Sequence, residues 1–434
     1  MITATMRLFL ALTLYRLTLP LLFLAAFPGW VLKMIRRGGF GTQLGERAAI
    51  YSSPLEYEPC GTVHFHAVSV GEAMLALKLI REWKLSEPDR RFVLATGTAT
   101  GHAVATSSRI PGLRVTYSPL DFPSMVRRYL DRFEPSQIVL AEGEVWPHLL
   151  LECQRREIPV RLVNARMSPR SAQRFLRFAA WLRPIYGLLD LVAIQEPGDA
   201  AIWECLGLGS EKIHATGSLK FDPGSGERPS RRSEFQEMLD AFGPQRLIVL
   251  AASTHPGEET LIANAIRNAA PEALAVIVPR HSERRAEVRA DLERAGFEVV
   301  LRSDFHPPRR PDNACFVIDA TGELRDWTAH SAAVVIGKSF LSTGGQNPCE
   351  AILAGVPVIL GPHMENFQPL AARLLASGGA LASAASTLSQ VLRTALDPAN
   401  AGTVTTQASA LLAPHEGATQ RILSHLIGKT GPII

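Results

Sequence analysis

From about residue 60 onward the chain repeats one unit: a short apolar run, a turn of Gly, Ser, Thr or Asn, then an amphipathic helical stretch. The apolar runs are nearly continuous in Val, Ile and Leu, as strands buried on both faces require. Alternation with helices makes them parallel strands in βαβ units, so the chain is α/β and doubly wound. In the first half the runs are Thr62–Val68, Arg91–Thr96, Leu113–Tyr117, Gln137–Ala141, Val160–Asn164, Leu189–Ile194 and Lys212–Thr216. A stretch without large apolar side chains follows Asp222, and the pattern restarts with Leu247–Ala251, Leu274–Val278, Val299–Leu301, Cys315–Ile318, Ala333–Ile336 and Val356–Leu360. A chain of 434 residues exceeds one ordinary core. The expected division is an N-terminal segment 1–37, a first Rossmann-like domain 38–222, a linker 223–233 and a second Rossmann-like domain 234–434. Two such domains facing across a cleft would turn the carboxyl ends of both sheets, where ligands bind, toward the gap. Neither the Walker A pattern nor GxGxxG occurs, which argues against a P-loop ATPase and a simple dehydrogenase.

The N-terminus is unlike the rest. Leu17–Leu32 carries no charge, although Pro20 and Pro28 interrupt it, and Arg7, Arg16, Lys33, Arg36 and Arg37 bracket it. It reads as a membrane-associating helix, either a single anchor with the body on the cytoplasmic side or a helix lying in the interface. A formal charge of +4 argues against wholesale nucleic-acid binding. Five scattered cysteines give no disulfide framework and fit a reducing compartment. His64 and His66 alternate on one strand without a third ligand, so no metal site is expected.

Several strand ends carry groups suited to chemistry. Glu72 follows the first strand and opens a helix, where the backbone dipole and unpaired amides favour a charged carboxylate able to accept a proton. An ordinary helix-stabilising Glu is the competing account. Glu142 and Glu144 follow the fourth strand, Asn164-Ala165-Arg166 the fifth, and Lys220 stands beside the linker. In the second half, Arg280 after Pro279 can grip a phosphate, and Thr321-Gly322-Glu323 offers backbone amides. Gly344-Gly345 lets the backbone approach a phosphate. Asn347, Pro348 and Glu350 look like a well-capped helix start around Cys349. Three anion-friendly strand ends in one domain suggest a bound nucleotide.

Taken in order, HAVSVGE (66–72), EGEVWP (142–147), NARMSPRS (164–171), GSLKFD (217–222), STHPGE (253–258), PRH (279–281), GGQNPCE (344–350) and GPHMENF (361–367) resemble the 3-deoxy-D-manno-octulosonic acid (Kdo) transferases of lipopolysaccharide synthesis. The family pattern departs at Gln346, where a His is usual, at Gly143, where a Thr is usual, and at Lys338-Ser339-Phe340. The resemblance implies a GT-B glycosyltransferase that moves Kdo from CMP-Kdo to the lipid A precursor at the cytoplasmic face of the inner membrane. No cofactor is implied. It implies Glu72 as general base and Glu142 and Lys220 as stabilisers of the transition state. Pro279, Arg280, Thr321, Gly322, Glu323, Asn347, Pro348, Cys349 and Glu350 are the CMP-binding positions it implies. A single base opposite a departing nucleotide implies inversion at the anomeric carbon. A GT-B transferase for another nucleotide sugar and a non-catalytic, membrane-associated nucleotide-binding module are the alternatives.

Overall fold

The computed structural model describes residues 4–36, 44–51, 61–167, 169–222 and 228–427. The first unit contains β1 (Val63–Ala67), β2 (Phe92–Thr96), β3 (Leu113–Tyr117), β4 (Gln137–Ala141), β5 (Val160–Ala165), β6 (Leu191–Ile194) and β7 (Ile213–Ala215). They form one parallel sheet in the order β3-β2-β1-β4-β5-β6-β7. The second unit contains β8 (Ile248–Thr254), β9 (Leu274–Pro279), β10 (Glu298–Leu301), β11 (Ala314–Val317), β12 (Ala333–Ile336), β13 (Val358–Leu360) and β14 (Leu381–Ala382). Its parallel order is β10-β11-β9-β8-β12-β13-β14. Every apolar run predicted as a strand is one. The two-residue β14 has no such run and was not expected.

Strand order reverses between β1 and β4 in one sheet and between β8 and β12 in the other. At such a point neighbouring helices pass to opposite faces, and the carboxyl ends of the two strands are left open. The helices that matter below are α1 (Ala4–Arg36), α2 (Val70–Ser86), α3 (Pro147–Arg155), α4 (Pro169–Arg177), α5 (Ala179–Tyr186), α6 (Glu258–Ala269), α7 (Cys349–Leu353) and α8 (Ala418–Ile427). Side-chain alternation splits each strand between two cores. Ile138 and Leu140 of β4 join one apolar cluster, whereas Val139 joins another with Val63, Phe65 and Ala76.

Two expectations need correction. The second half does not run to the end of the chain: the compact units are Met1–Ser225 with His415–Ile434, and Gly226–Pro414. Ile422, Leu423 and Leu426 of α8 are buried in the first unit's core, and the Asp222 carboxylate accepts from Gly417 N (2.9 Å) and Thr419 N (2.7 Å). Arg161 Nη1 adds a bond to Leu426 O at 2.6 Å. Nor do the prolines interrupt the N-terminal helix, which is continuous over 33 residues with Pro20 and Pro28 inside it, both on exposed positions. Residues 223–227 of the expected linker, the side chains of Lys33 and Arg36, and all of Arg37 lie outside the described residues.

Met6–Gly29 is long and apolar enough to cross a membrane. One stripe of α1 is nonetheless committed to the first unit. Ala11 and Leu12 are buried, and Tyr15 Oη donates to Asp121 Oδ2 (3.0 Å). Phe23 meets Phe122 edge-on with ring centroids 5.9 Å apart. Asp121 also accepts from His148 N and Leu149 N at the start of α3, so one buried carboxylate ties two helices together.

Candidate active site

The β1–α2 turn fixes Glu72. Ser69 is the N-cap of α2, and its Oγ accepts from Glu72 N at 3.2 Å. The Glu72 carboxylate returns the contact: Oε2 accepts from Val68 N (2.7 Å) and Oε1 from Ser69 Oγ (2.8 Å). The side chain is thus held in one orientation and is 8% exposed. Each oxygen keeps a second lone pair for another donor.

Beside it, across the reversal in strand order, comes the end of β4. Glu142 sits in the left-handed region (φ 58°), as does Asn164 (φ 53°) at the end of β5. Such backbone costs of order 1 kcal/mol per residue and persists only where surrounding contacts hold it. Asn164 supplies them. Its Oδ1 accepts from Leu219 N (2.9 Å), its backbone O accepts from Gln195 Nε2 (2.9 Å), and its Nδ2 reaches Glu142 Oε1 (3.5 Å). One buried amide therefore joins the β4 turn to the segment that carries Lys220. Lys78 of α2 holds that segment from the other side by donating to Leu219 O at 2.9 Å.

The electrostatics show which charges these elements bring together. Burial pushes Glu142 up, the neighbouring Glu72 pushes it further, and Arg166 and Lys220 pull it back. Burial, then Glu72, then Glu142 push Glu144 up to about 7. Glu72, Glu142, Glu144, Arg166 and Lys220 thus form one charge cluster at the open ends of β1, β4 and β5. His64 belongs to the packing instead: its ring nitrogens meet Tyr129 Oη (2.8 Å) and Thr62 Oγ1 (3.0 Å) in the core.

The second unit repeats the plan with a different emphasis. Glu258 opens α6 after β8 as Glu72 opens α2 after β1, yet it is 0% exposed. Its Oε1 accepts from Ser339 N and Phe340 N (3.1 Å each), and its Oε2 from His255 N (3.0 Å) and Lys338 N (2.6 Å). Three of these four bonds shape the loop after β12, and the fourth closes the turn after β8. Glu258 closes the 253–258 motif but was given no role from the sequence; its place in a Gly-Glu pair after the first strand of its unit, matching Gly71-Glu72, was the available signal. Gly337 lets that loop pass the β8 end, since a Cβ there would lie 2.5 Å from Ser253 O. Glu365 Oε2 accepts from Gly344 N (2.6 Å), so the loop after β13 holds the paired glycines. Gln346 Nε2 stands 3.3 Å from His255 Nε2 and so meets the β8 turn.

The expected nucleotide positions divide. Arg280 and Thr321 are exposed at strand ends, and Thr321 Oγ1 lies 3.5 Å from Ser282 Oγ, which joins the β9 and β11 loops. Gly322 is left-handed (φ 88°), while Pro279, Pro348 and Cys349 are buried beneath the loops. Asn347 Oδ1 accepts from Cys349 N (3.1 Å), but the helix starts one residue later than expected, so Pro348 rather than Asn347 is its N-cap. Glu350 departs from expectation: Oε2 is buried without a hydrogen-bond partner and does not reach back to the helix start. Burial raises its pKa, opposed by Arg325 and Arg280, so it lies within reach of the β9 arginine. The Glu323 carboxylate is occupied structurally, accepting from Trp327 Nε1 (3.0 Å) and Arg302 Nε (3.3 Å).

A family model described as 3-deoxy-D-manno-octulosonic-acid transferase (kdotransferase) matches residues 42–223. The 3-deoxy-D-manno-octulosonic acid transferase of Bordetella pertussis is 34% identical over 422 residues, covering 92% of this chain and 94% of its own. This chain belongs to the Kdo transferase family. The Haemophilus influenzae Kdo transferase is 31% identical over 343 residues, 78% of this chain and 79% of its own. A solved UDP-GlcNAc 2-epimerase from Neisseria meningitidis superimposes with a TM-score of 0.50 at 13% identity, covering 85% of this chain and all (100%) of the other. That likeness concerns fold alone, two Rossmann-like units of the GT-B kind. As a Kdo transferase the chain is a glycosyltransferase, and its site is read as an enzyme's below.

Proposed function

We propose that the chain transfers Kdo from CMP-Kdo to the lipid A precursor with inversion at the anomeric carbon, Glu72 acting as general base. The observation that carries this reading is the charge cluster. A carboxylate held by two local hydrogen bonds and retaining open lone pairs stands among a second carboxylate, Glu142, and the cations Lys220 and Arg166. In the proposed step an acceptor hydroxyl gives its proton to Glu72. Its oxygen bonds to the anomeric carbon, and the bond to CMP breaks with its electron pair leaving on the phosphate. Lys220 and Arg166 suit the donor's carboxylate and the acceptor's phosphates. CMP is assigned to the second unit, with Arg280 toward the phosphate. The apolar α1 would keep the enzyme on the cytoplasmic face of the inner membrane, where its acceptor resides.

Glu72→Gln tests the base. Proton abstraction contributes about 10²–10⁴-fold, so transfer from CMP-Kdo should fall by that factor while CMP affinity stays unchanged. The local bonds of Glu72 also fit a purely capping role. In that case the variant loses about 0.5–2 kcal/mol of stability and keeps its rate. Supplying CMP-Kdo and a UDP-sugar in separate reactions distinguishes the Kdo donor from other nucleotide sugars by acceptor-dependent nucleotide release.

A further inference from the structure

Within the first unit a cavity of about 460 Å³ lies between α1, the turn after β4, and the α4–α5 pair. Its walls include Leu14 of α1, Trp146 of the turn, and Trp181, Leu182 and Ile185 of α5. Two hydroxyls on the α1 side are already committed, Tyr15 to Asp121 and Thr18 to Leu14 O at 2.9 Å. What they present to the cavity is therefore largely hydrocarbon. The polar end is Glu144, from the same turn as Glu142 and in electrostatic contact with Glu72. Two of its walls are also apolar surface, Leu14 being 58% and Trp181 46% exposed, and near them in sequence Leu17, Leu21 and Phe178 are 67%, 66% and 57% exposed. Exposed apolar side chains on and next to a membrane-grade helix make a surface suited to lipid.

A cavity that is charged at one end, greasy along its walls and open to an apolar rim selects an amphiphile with one hydrocarbon chain. Its volume falls within the ordinary range of small-ligand pockets. We propose that this cavity binds one fatty acyl chain of the acceptor lipid, with the acceptor's sugar head at the Glu144 end beside Glu72. The assignment rests on the reading of that charge cluster as the transfer site. It gives α1 a second role, as one wall of the acceptor site, in addition to membrane attachment.

The test uses the full-length enzyme, CMP-Kdo, and a series of monomeric, water-soluble acceptors bearing one acyl chain of increasing length, with the deacylated sugar phosphate as the base case. Burying a methylene from water is worth about 0.8 kcal/mol, so KM should fall about fourfold for each one added until the cavity is full. Leu182→Trp, which fills the space, should erase that dependence and leave kcat/KM for the deacylated acceptor as in the wild type. Leu14→Ala, on the opposite and exposed wall, should preserve folding and shift the plateau to longer chains. A wild-type enzyme that transfers to every acceptor with a flat KM overturns the cavity assignment and leaves the proposed reaction standing. Equal chain dependence in wild type and Leu182→Trp overturns it as well. So does equally strong competition by a phospholipid of the same chain length, which would make the occupant a bilayer lipid. No transfer to any acceptor sinks the reaction and the cavity assignment together.

Discussion

Glu72 and Glu258 occupy matching positions, each the first-turn carboxylate of the helix that follows the first strand of its unit, and their surroundings assign them different work. Glu258 has four backbone donors and no exposure; Glu72 has two donors and stands among the titratable groups Glu142 and Glu144. Glu258→Gln puts an amide against two N–H groups, each costing about 1–3 kcal/mol when left without an acceptor. Thermal unfolding should shift down, and CMP affinity, measured by titration calorimetry, should fall although Glu258 need not touch the nucleotide. Glu72→Gln should leave both measurements nearly unmoved. Glu144 makes a further prediction from its rise to about 7 against an ordinary 4.5. Between those values the folded chain holds a proton that the unfolded chain releases, so stability is greatest below about pH 4.5 for this group and declines as pH rises through about 7. Urea midpoints at pH 5 and pH 7.5 should show that decline in the wild type and less of it in Glu144→Gln.

Among the elements, strands were the most legible part of the sequence. Runs such as Ile138–Ala141 and Ala333–Ile336 sit on both faces in hydrocarbon and leave no ambiguity of period. Helix starts were read less well. Asn347 accepts from Cys349 N, but the helix starts one residue later than expected, with Pro348 at its N-cap, and the Glu350 carboxylate, buried in the electrostatic range of Arg325 and Arg280, makes no capping bond. The left-handed Glu142 and Asn164 carried no sequence signal at all; long-range contacts such as Asn164 to Leu219 create that geometry. Likewise, an uncharged run bracketed by arginines announced a membrane-type helix, whereas its docking stripe depended on Asp121, more than a hundred residues away. Tyr15→Phe removes one bond to that buried carboxylate and should cost about 1–2 kcal/mol. Faster proteolytic release of α1 in detergent, with transfer to a deacylated acceptor preserved, would be the readout.

On the scale of the whole molecule, the two doubly wound units were legible but their ownership of the C-terminus was not. α8 carries an amphipathic pattern that suits either sheet, and partners distant in sequence, among them Asp222, Arg161, Thr216 and His214, bind it to the first. Ending the chain at Pro414 would strip Ile422, Leu423 and Leu426 from the first unit's core. At roughly 1.5–3 kcal/mol per buried side chain this is comparable to the roughly 5–15 kcal/mol stability of a typical domain. Limited proteolysis of that truncation should digest the first unit and spare fragments of the second. There is a temporal side to the same arrangement. A nascent chain exposes its greasy helix before either unit is complete, yet the first unit cannot close until α8 has been made, while the inserted unit can already have formed. Until α8 arrives, the bilayer rather than the protein's own interior is the natural shelter for that helix.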